Sequence, residues 1–430
     1  MITALLGIFA ILGLAFLGVP LGFSMLLVGA AGFAILRGVD PALSMIAQQV
    51  VDNSANYGWS VLPMFILMGV FVHRAEMSDE LYDAAYAWLG HLRGGLAHAT
   101  VASCAMFAAI SGSSIATAAT MSKVAIPPMR RLGYADSLAA GSVASAGVLG
   151  VLIPPSVPLI IYGILTEQDI RALFIATVGP GILATLLFIG AVWLTTLIWP
   201  HLGPRGESHT WRQKFAALEN VWSVLLLFVL VMGGLYGGVF TATESAGMGA
   251  AGAFLIALAR RKLSRSAFLD CLVESSKTTA MIFVIAFGAM VFANFVALSG
   301  MVGALIGWIE DMRLPATGVI VAIAAIYLVL GCLMESLGLM ILTVPVFAGV
   351  MQSLGVNLVW FGVFVVMMIE IGMLTPPVGM NVFTVKTMNP EIPLKTIFKG
   401  VMPFVIANLL AVAIMVAWPQ IATAPLAWLN

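Results

Sequence analysis

Long apolar segments separated by short polar ones dominate the chain. A segment of about twenty apolar residues is long enough to cross the hydrocarbon core of a bilayer, and the pattern predicts ten full crossings. These lie at residues 3–18, 20–36, 55–73, 138–164, 172–199, 219–238, 241–259, 278–298, 358–386 and 400–418. Three segments with scattered charges are expected along the membrane surface, at 41–52, 79–91 and 303–312. The pattern therefore predicts an all-α polytopic membrane protein.

Two apolar segments, 95–129 and 315–352, are each too long for one crossing and carry a polar interruption near the middle. The interruptions are "AISGSSIAT" and "GCLMESLGL". Irregular backbone at membrane depth is tolerated only where it is buried in protein or lines a cavity. Each segment is therefore predicted to be a re-entrant helical hairpin.

Adjacent prolines interrupt two predicted crossings, 138–164 and 358–386. Proline has no N–H, so the carbonyl four residues before it loses its helical donor. The carbonyls affected are predicted to be those of Gly150, Val151, Gly372 and Met373, ahead of Pro154, Pro155, Pro376 and Pro377. An unpaired carbonyl in hydrocarbon costs several kcal/mol, so these oxygens need another partner. Either the broken helices offer oxygen ligands to a small hard cation, or the prolines only kink helices that Ser and Thr repair.

The chain divides into two similar halves, 1–199 and 219–430, joined by a polar linker over 200–218. Each half contains five crossings and one hairpin in the same order. "GAAG" at 29–32 recurs at 249–252, and "LIPPS" at 152–156 aligns with "LTPPV" at 374–378, at offsets of 220 and 222. Because five is odd, the second half must enter from the opposite face. This is the inverted repeat typical of secondary transporters, whose sites lie between the repeats near the midplane.

Composition narrows the class of function. The chain is 61% hydrophobic and 9% charged, with 19 basic and 19 acidic residues, which favours a membrane protein over a nucleic-acid binder. Cys104, Cys271 and Cys332 are isolated in apolar segments, and the five histidines lack zinc-type spacing. No "GKS" or "GKT" phosphate-binding loop occurs, and no aspartate lies inside a predicted crossing. A carrier is therefore expected rather than a pump or an intramembrane protease, and a channel is disfavoured because the polar residues are concentrated at two breaks.

Four motifs occur in an order that resembles the large membrane subunit of the tripartite ATP-independent periplasmic (TRAP) transporters. They are "SGSSIATA" with a following "PPM", "GVLIPPSVPLIIYG", "GVFTATESAG" and "EIGMLTPPVGMNVF". The resemblance covers essentially the whole chain; Ala242 departs from it, where the family often has proline.

The resemblance implies an elevator-type carrier of the ion transporter superfamily, in the bacterial inner membrane, that moves an organic anion with sodium ions and uses no organic cofactor. Its implied partners are a small four-helix membrane subunit and a periplasmic substrate-binding protein. A stand-alone sodium/dicarboxylate or citrate symporter of the related two-hairpin type is the alternative.

The resemblance also implies binding residues. One sodium site is expected at Ser111, Ser114, Gly150, Ile153 and Ser156, and a second at Gly331, Gly372, Thr375 and Val378. Contacts to a carboxylate substrate are expected at Gly112, Ser113, Thr117, Glu335, Ser336 and Asn381, with half-helix starts offering N–H groups. Glu335 and Glu370 are acids in apolar segments and thus candidates for function. A structural role, paired with Lys123 or a buried hydroxyl, is the alternative for both.

Basic residues test the membrane layout, because they collect on the cytoplasmic side. If the linker is cytoplasmic, 16 of the 19 basic residues share its side, and only Arg37, Arg171 and Arg313 lie outside. The sixteen are Arg74, Arg93, Lys123, Arg130, Arg131, Arg205, Arg212, Lys214, Arg260, Arg261, Lys262, Arg265, Lys277, Lys386, Lys395 and Lys399. Both termini are then expected in the periplasm.

This layout can be tested by labelling single cysteines in intact cells, in a background that lacks the three native cysteines. Ser208→Cys, in the linker, should be shielded from a membrane-impermeant thiol reagent, while Gln168→Cys should react with it. The opposite pattern would contradict both the layout and the inverted repeat.

Overall fold

The computed structural model describes residues 2–429, which are helical over most of their length. The helices of the first half and the linker are α1 Ile2–Phe16, α2 Leu21–Arg37, α3 Val39–Ala55, α4 Val61–Arg74, α5 Met77–Leu89, α6 Gly95–Ser111, α7 Ser114–Arg131, α8 Asp136–Gly147, α9 Leu149–Leu152, α10 Val157–Thr166, α11 Ile170–Ile198 and α12 Trp211–Glu219. Those of the second half are α13 Trp222–Phe228, α14 Gly234–Tyr236, α15 Ala242–Ala259, α16 Arg265–Leu298, α17 Met301–Asp311, α18 Ala316–Gly331, α19 Ser336–Ser353, α20 Leu358–Gly372, α21 Met380–Met388, α22 Leu394–Ala417 and α23 Gln420–Thr423. Short 3-10 segments lie at Tyr57–Ser60, Pro200–Leu202 and Ala424–Leu429.

Several helices are long and apolar enough to span a membrane. By length and composition, six segments among residues 2–429 qualify, or up to eight if each of two bent pairs counts as one span. The predicted crossings at 3–18 and 20–36 correspond to α1 and α2, which have 15 and 17 residues. They are therefore shorter than the roughly 20 residues of a full crossing. The all-helical membrane class is confirmed, while the inverted repeat stays a prediction.

Small residues let α2 and α16 pack closely. A Cβ added at Gly22 of α2 would lie 2.8 Å from the backbone of Ile285, and one at Gly29 would lie 2.7 Å from that of Phe292. On α16, a Cβ at Gly288 would lie 2.1 Å from the carbonyl oxygen of Gly22. Close backbone approach at small residues is how apolar helices associate in lipid, where burial of apolar surface gives no driving force.

The two interrupted helices occupy the centre of the molecule. Every residue of α20 from Val359 to Gly372 is buried, as are those of α8 from Leu138 to Gly147. Helix α8 packs on α22 where a Cβ at Gly141 would lie 2.4 Å from the backbone of Gly400. Helix α7 contacts α21, and α10 contacts α19, so elements of the two halves interlock around this centre.

Linker 200–218 contains one helix, since Thr210 and Gln213 form a capping box that starts α12. Two predicted crossings differ from the structure. The crossing predicted at 219–238 is interrupted by a π-helical segment, Val229–Gly233. The crossing predicted at 278–298 belongs to a 34-residue helix that begins at Arg265, where Ser264 caps it.

Ion pairs connect residues that were predicted to share one side of the membrane. Arg260 donates two hydrogen bonds of 2.8 Å to Glu80. Arg130 donates to Asp136 at 2.7 Å and also contacts Glu391. Each contact joins residues from segments that the predicted layout puts on the cytoplasmic side.

The α2–α16 contact generates a stability prediction. Gly288→Leu would force the two backbones apart and should destabilise the protein by about 1–3 kcal/mol, the usual cost of overpacking. The loss should appear as a lower melting temperature in detergent. Gly190→Leu on α11 is the matched control, since no atom lies within 4 Å of a Cβ added there. Equal melting temperatures for the two variants would contradict the packing argument.

Candidate functional site

The tip of the first hairpin is a two-residue turn between α6 and α7. Gly112 adopts a left-handed conformation with φ of 66° after α6 ends at Ser111. Ser113 then caps α7 by accepting a hydrogen bond of 3.3 Å from the N–H of Ala116. Glycine suits the first position because it has no Cβ, and serine suits the second as a helix cap. The sequence "SGSS" thus encodes the turn directly.

The tip of the second hairpin is longer and is closed by a carboxylate. Helix α18 ends at Gly331, and α19 begins after Glu335. The Glu335 side chain accepts from the N–H of Gly338 at 3.3 Å and from the hydroxyl of Ser336 at 3.3 Å. Glu335 therefore caps α19, with a neighbouring hydroxyl as a further partner. It also occupies the start of α19, where the sequence predicted free N–H groups for a substrate carboxylate.

Each tip is hydrogen-bonded to the broken helix beside it. The N–H of Val157, just after the first break, donates to the carbonyl of Gly112 at 3.4 Å. The N–H of Gly379, just after the second, donates to the carbonyl of Cys332 at 3.5 Å. The two bonds occupy equivalent positions in the halves.

Glycine permits the close approach of tip and break. A Cβ added at Gly150 would lie 2.4 Å from the Thr117 hydroxyl, and one at Gly372 would lie 2.6 Å from the backbone of Gly331. Both distances are too short for a real side chain. Any larger residue would therefore push the tip away from the break.

The prolines remove helical donors in both halves, with different outcomes. Among residues 2–429, the carbonyls of Gly150 and Val151 accept no hydrogen bond, and the N–H of Ile153 donates to the carbonyl of Leu149 at 3.0 Å. In the second half the two predicted carbonyls find other partners. The carbonyls left by Pro376 and Pro377 are filled by other N–H groups: that of Thr375 donates to Gly372 at 3.0 Å, and that of Asn381 donates to Met373 at 3.2 Å. Each of these oxygens still has a second lone pair.

One of the first set of predicted cation ligands, Ser114, contacts a buried carboxyl group from the other half. Ser114 donates its hydroxyl proton to Oε1 of Glu370 at 3.2 Å. The other carboxyl oxygen of Glu370 is buried without a hydrogen-bond partner among the described residues. The Ser111 hydroxyl lies 3.1 Å from that of Thr117, and Ser156 caps α10 by accepting from the N–H of Leu159 at 3.4 Å.

These features fit a hard cation. The region holds buried oxygens that lack donors, namely the Gly150 and Val151 carbonyls and one Glu370 oxygen. Oxygen-only ligation suits hard metal ions. No group of three or more His, Cys, Asp or Glu side chains suited to a metal occurs within residues 2–429.

The second set is mostly backbone. Gly331 and Gly372 are in contact, and Val378 is half-buried beyond the break. The Thr375 hydroxyl donates to the carbonyl of Ile371 at 2.7 Å. That bond uses its proton and leaves the oxygen lone pairs available as ligands.

A cavity of about 460 Å³ lies between the two tips. This volume is within the usual range for a small-molecule site. Four of the six predicted substrate residues line it: Gly112, Ser113, Glu335 and Ser336. Helices α4, α7 and α16 provide most of the remaining wall. The structure thus brings the tips of both halves to one space.

Thr117 and Asn381, the other two predicted substrate residues, do not line this cavity. Thr117 is buried and donates to the carbonyl of Ser113 at 2.8 Å, on the side that faces Gly150. Asn381 is buried on α21, and its amide lies 3.5 Å from the carbonyl of Ala144 on α8. Both instead contact a broken helix.

Five polar residues of the cavity were not predicted as site residues. They are His73, Thr120, Lys123, Glu274 and Thr278. Thr120 and His73 Nδ1 are 3.2 Å apart, which connects α7 to α4. Glu274 was missed because the crossing was predicted to begin at 278. Lys123 had been considered only as a partner for Glu335 or Glu370, and it forms no ion pair with any residue in 2–429.

Lys123 also lines a second cavity, together with Asp79 and Asp83 of α5. Burial, followed by the charges of Glu76 and Glu80, raises the pKa of Asp79 above its ordinary value. Burial, followed by Asp79 and Glu80, does the same to the pKa of Asp83. Both shifts reflect burial and the mutual repulsion of neighbouring acidic side chains where α5 lines the second cavity.

Comparison with known proteins identifies the family. Residues 8–421 match the profile described as "Tripartite ATP-independent periplasmic transporter, DctM component". The chain is 33% identical over 388 residues to a C4-dicarboxylate TRAP transporter large permease protein of Pseudomonas aeruginosa, covering 90% of each chain. It is 32% identical to a sialic acid TRAP transporter large permease protein of Vibrio cholerae, covering 96% of each.

A solved structure resembles the fold. The YdaH transporter of Alcanivorax borkumensis superposes with a TM-score of 0.59 at 17% identity, over 89% of both chains. At that identity the likeness concerns the fold alone. With the profile match over nearly the whole chain and the permease relatives above 30% identity, the resemblance in the four motifs is confirmed: the chain belongs to the DctM family, the large permease component of tripartite ATP-independent periplasmic transporters.

Proposed function

We propose that this chain imports an organic anion, with sodium ions, across the bacterial inner membrane. In this proposal a periplasmic binding protein delivers the anion, and a small four-helix membrane subunit completes the carrier. Both termini lie in the periplasm. The relatives whose names specify C4-dicarboxylate and sialic acid support a carboxylate as the substrate class.

The observation that carries the proposal is the cavity between the two hairpin tips. It combines backbone groups and hydroxyls from the first tip with Glu335 and Ser336 from the second. A substrate held there would contact both halves. Because both tips are bonded to broken helices, substrate and cations would lie next to each other at the same elements.

Sodium is the proposed coupling ion because the donors are oxygens held at fixed positions. In the first half these are the carbonyls of Gly150 and Val151, with Ser114 and Glu370 beside them. In the second half they are the carbonyl of Gly372 and the hydroxyl of Thr375. Hard oxygen donors fit Na⁺ better than a transition metal.

Reconstitution separates this proposal from a stand-alone symporter. In liposomes, the chain with its small subunit and binding protein should take up one of two labelled probes, succinate or sialic acid, only with an inward sodium gradient. The chain alone should not. Robust sodium-driven uptake by the chain alone would favour the stand-alone symporter, and uptake without a sodium gradient would contradict sodium coupling.

A ligand deletion at the second break should weaken sodium binding. Thr375→Val keeps the shape of the side chain but removes one oxygen. Loss of one buried polar partner costs about 1–3 kcal/mol, equivalent to about a tenfold to hundredfold lower sodium affinity. Uptake by the complex should therefore recover as the sodium concentration is raised.

Thr384→Val is the matched control, because Thr384 donates an equivalent bond of 2.9 Å to Met380 within α21 and is not a candidate ligand. Its sodium dependence should be unchanged, while Thr375→Ser should restore the wild-type value. If Thr375→Val loses activity equally at every sodium concentration, its hydroxyl is not a ligand.

A further inference from the structure

The cavity continues from the hairpin tips along one face of α7. Ala116, Thr120 and Lys123 all line it, and their spacing puts them on one side of the helix. Lys123 lies nine residues beyond the start of α7 at Ser114, which corresponds to about 13 Å along the axis. The cavity is therefore a corridor from the tips toward the end of α7 that carries Arg130 and Arg131.

The charges along this corridor are unequal. Glu274 on α16 and Glu335 at the second tip are the acidic lining residues in the described part of the chain. Lys123 alone among the described lining residues carries a fixed positive charge. Its ammonium group makes no ion pair within 4 Å with any residue in 2–429, although Asp79 and Asp83 line the second cavity that it also lines. His73, the other basic side chain, is engaged with Thr120.

An organic anion would meet repulsion from both carboxylates in such a corridor. Walls of low dielectric strengthen that repulsion and equally strengthen the attraction of one unpaired cation. Lysine suits this role because its charge sits on a flexible four-carbon stem, which can follow a moving ligand.

We propose that Lys123 attracts the transported anion into the corridor and binds its carboxylate between the hairpin tips and the C-terminal end of α7. This assignment rests on the proposed function, in that the cargo is an organic anion. It adds a cationic subsite on α7 to a site that otherwise consists of backbone groups, hydroxyls and acids.

The electrostatic field of Lys123 can be measured without transport. Ala119→Cys, one turn before Lys123 on the same helix, introduces a thiol into the corridor of protein lacking Cys104, Cys271 and Cys332. The purified complex is treated separately with an anionic sulfonatoethyl and a cationic trimethylammonium-ethyl methanethiosulfonate. Lys123→Gln should lower the ratio of the anionic to the cationic rate constant about tenfold, as expected for one charge at about 6 Å. The ratio cancels any change in the thiolate fraction, which affects both reagents equally.

Lys277→Gln is the control, because Lys277 neighbours the lining residue Thr278 on α16 but does not line the cavity. It should leave the ratio unchanged, and Lys123→Arg should preserve it. An unchanged ratio in Lys123→Gln, an equal fall in Lys277→Gln, or a thiol that neither reagent reaches would overturn the proposal. Absence of sodium-driven uptake by the wild-type complex would instead count against the proposed function, so the two failures are distinguishable.

Discussion

The structure depends on the need to satisfy backbone hydrogen-bonding groups away from water. Two helices are broken at paired prolines and two hairpins turn back within the protein, so N–H and C=O groups at four places lack helical partners. Each tip and break supply partners to each other, through Gly112 with Val157 and through Cys332 with Gly379. Neither element would be stable alone in an apolar setting. Tip and break therefore form one unit. The candidate site consists of the polar groups of that unit that are not used in hydrogen bonds between tip and break.

The two units of hairpin tip and broken helix have the same arrangement of elements but differ in the polar groups that they contain. The first has a two-residue tip, and its Gly150 carbonyl accepts no hydrogen bond from any residue in 2–429. The second has a longer tip, and its Gly372 carbonyl accepts a hydrogen bond from the N–H of Thr375. The residue that caps the following helix also differs. It is Glu335, a carboxylate, at the second tip and Ser113, a hydroxyl, at the first. Cation positions built on the two units would therefore offer unequal donor sets. A repeat in sequence does not imply equivalent sites.

Sequence patterns predicted the features that local chemistry determines. Glycine, serine and proline fix turns and breaks within a few residues, so the tip at Gly112 and the breaks after Gly150 and Gly372 could be located in advance. The start of α16 at Arg265 could not, because Asp270, Glu274 and Lys277 lower the hydropathy of a segment that nevertheless forms helix from its Ser264 cap. The cavity walls from α4 and α16 depend on packing between distant segments, which one sequence does not reveal. Lys123 was considered only as a cytoplasmic-side charge and as a partner for Glu335 or Glu370, because the cavity that it lines could not be predicted from the sequence.

The contact between Ser114 and Glu370 shows why the site belongs to neither half alone. These residues are 256 positions apart, yet the hydroxyl at the first tip donates to the carboxyl group of the second broken helix. An ionised carboxylate buried without compensation is costly, and one oxygen of Glu370 has no partner within residues 2–429. In the proposed function, a cation beside Ser114 would compensate the buried charge of Glu370. It would then contact the first hairpin and α20 at the same time. Occupation of the cation site would then hold the first tip against the second half, next to the cavity that both tips line.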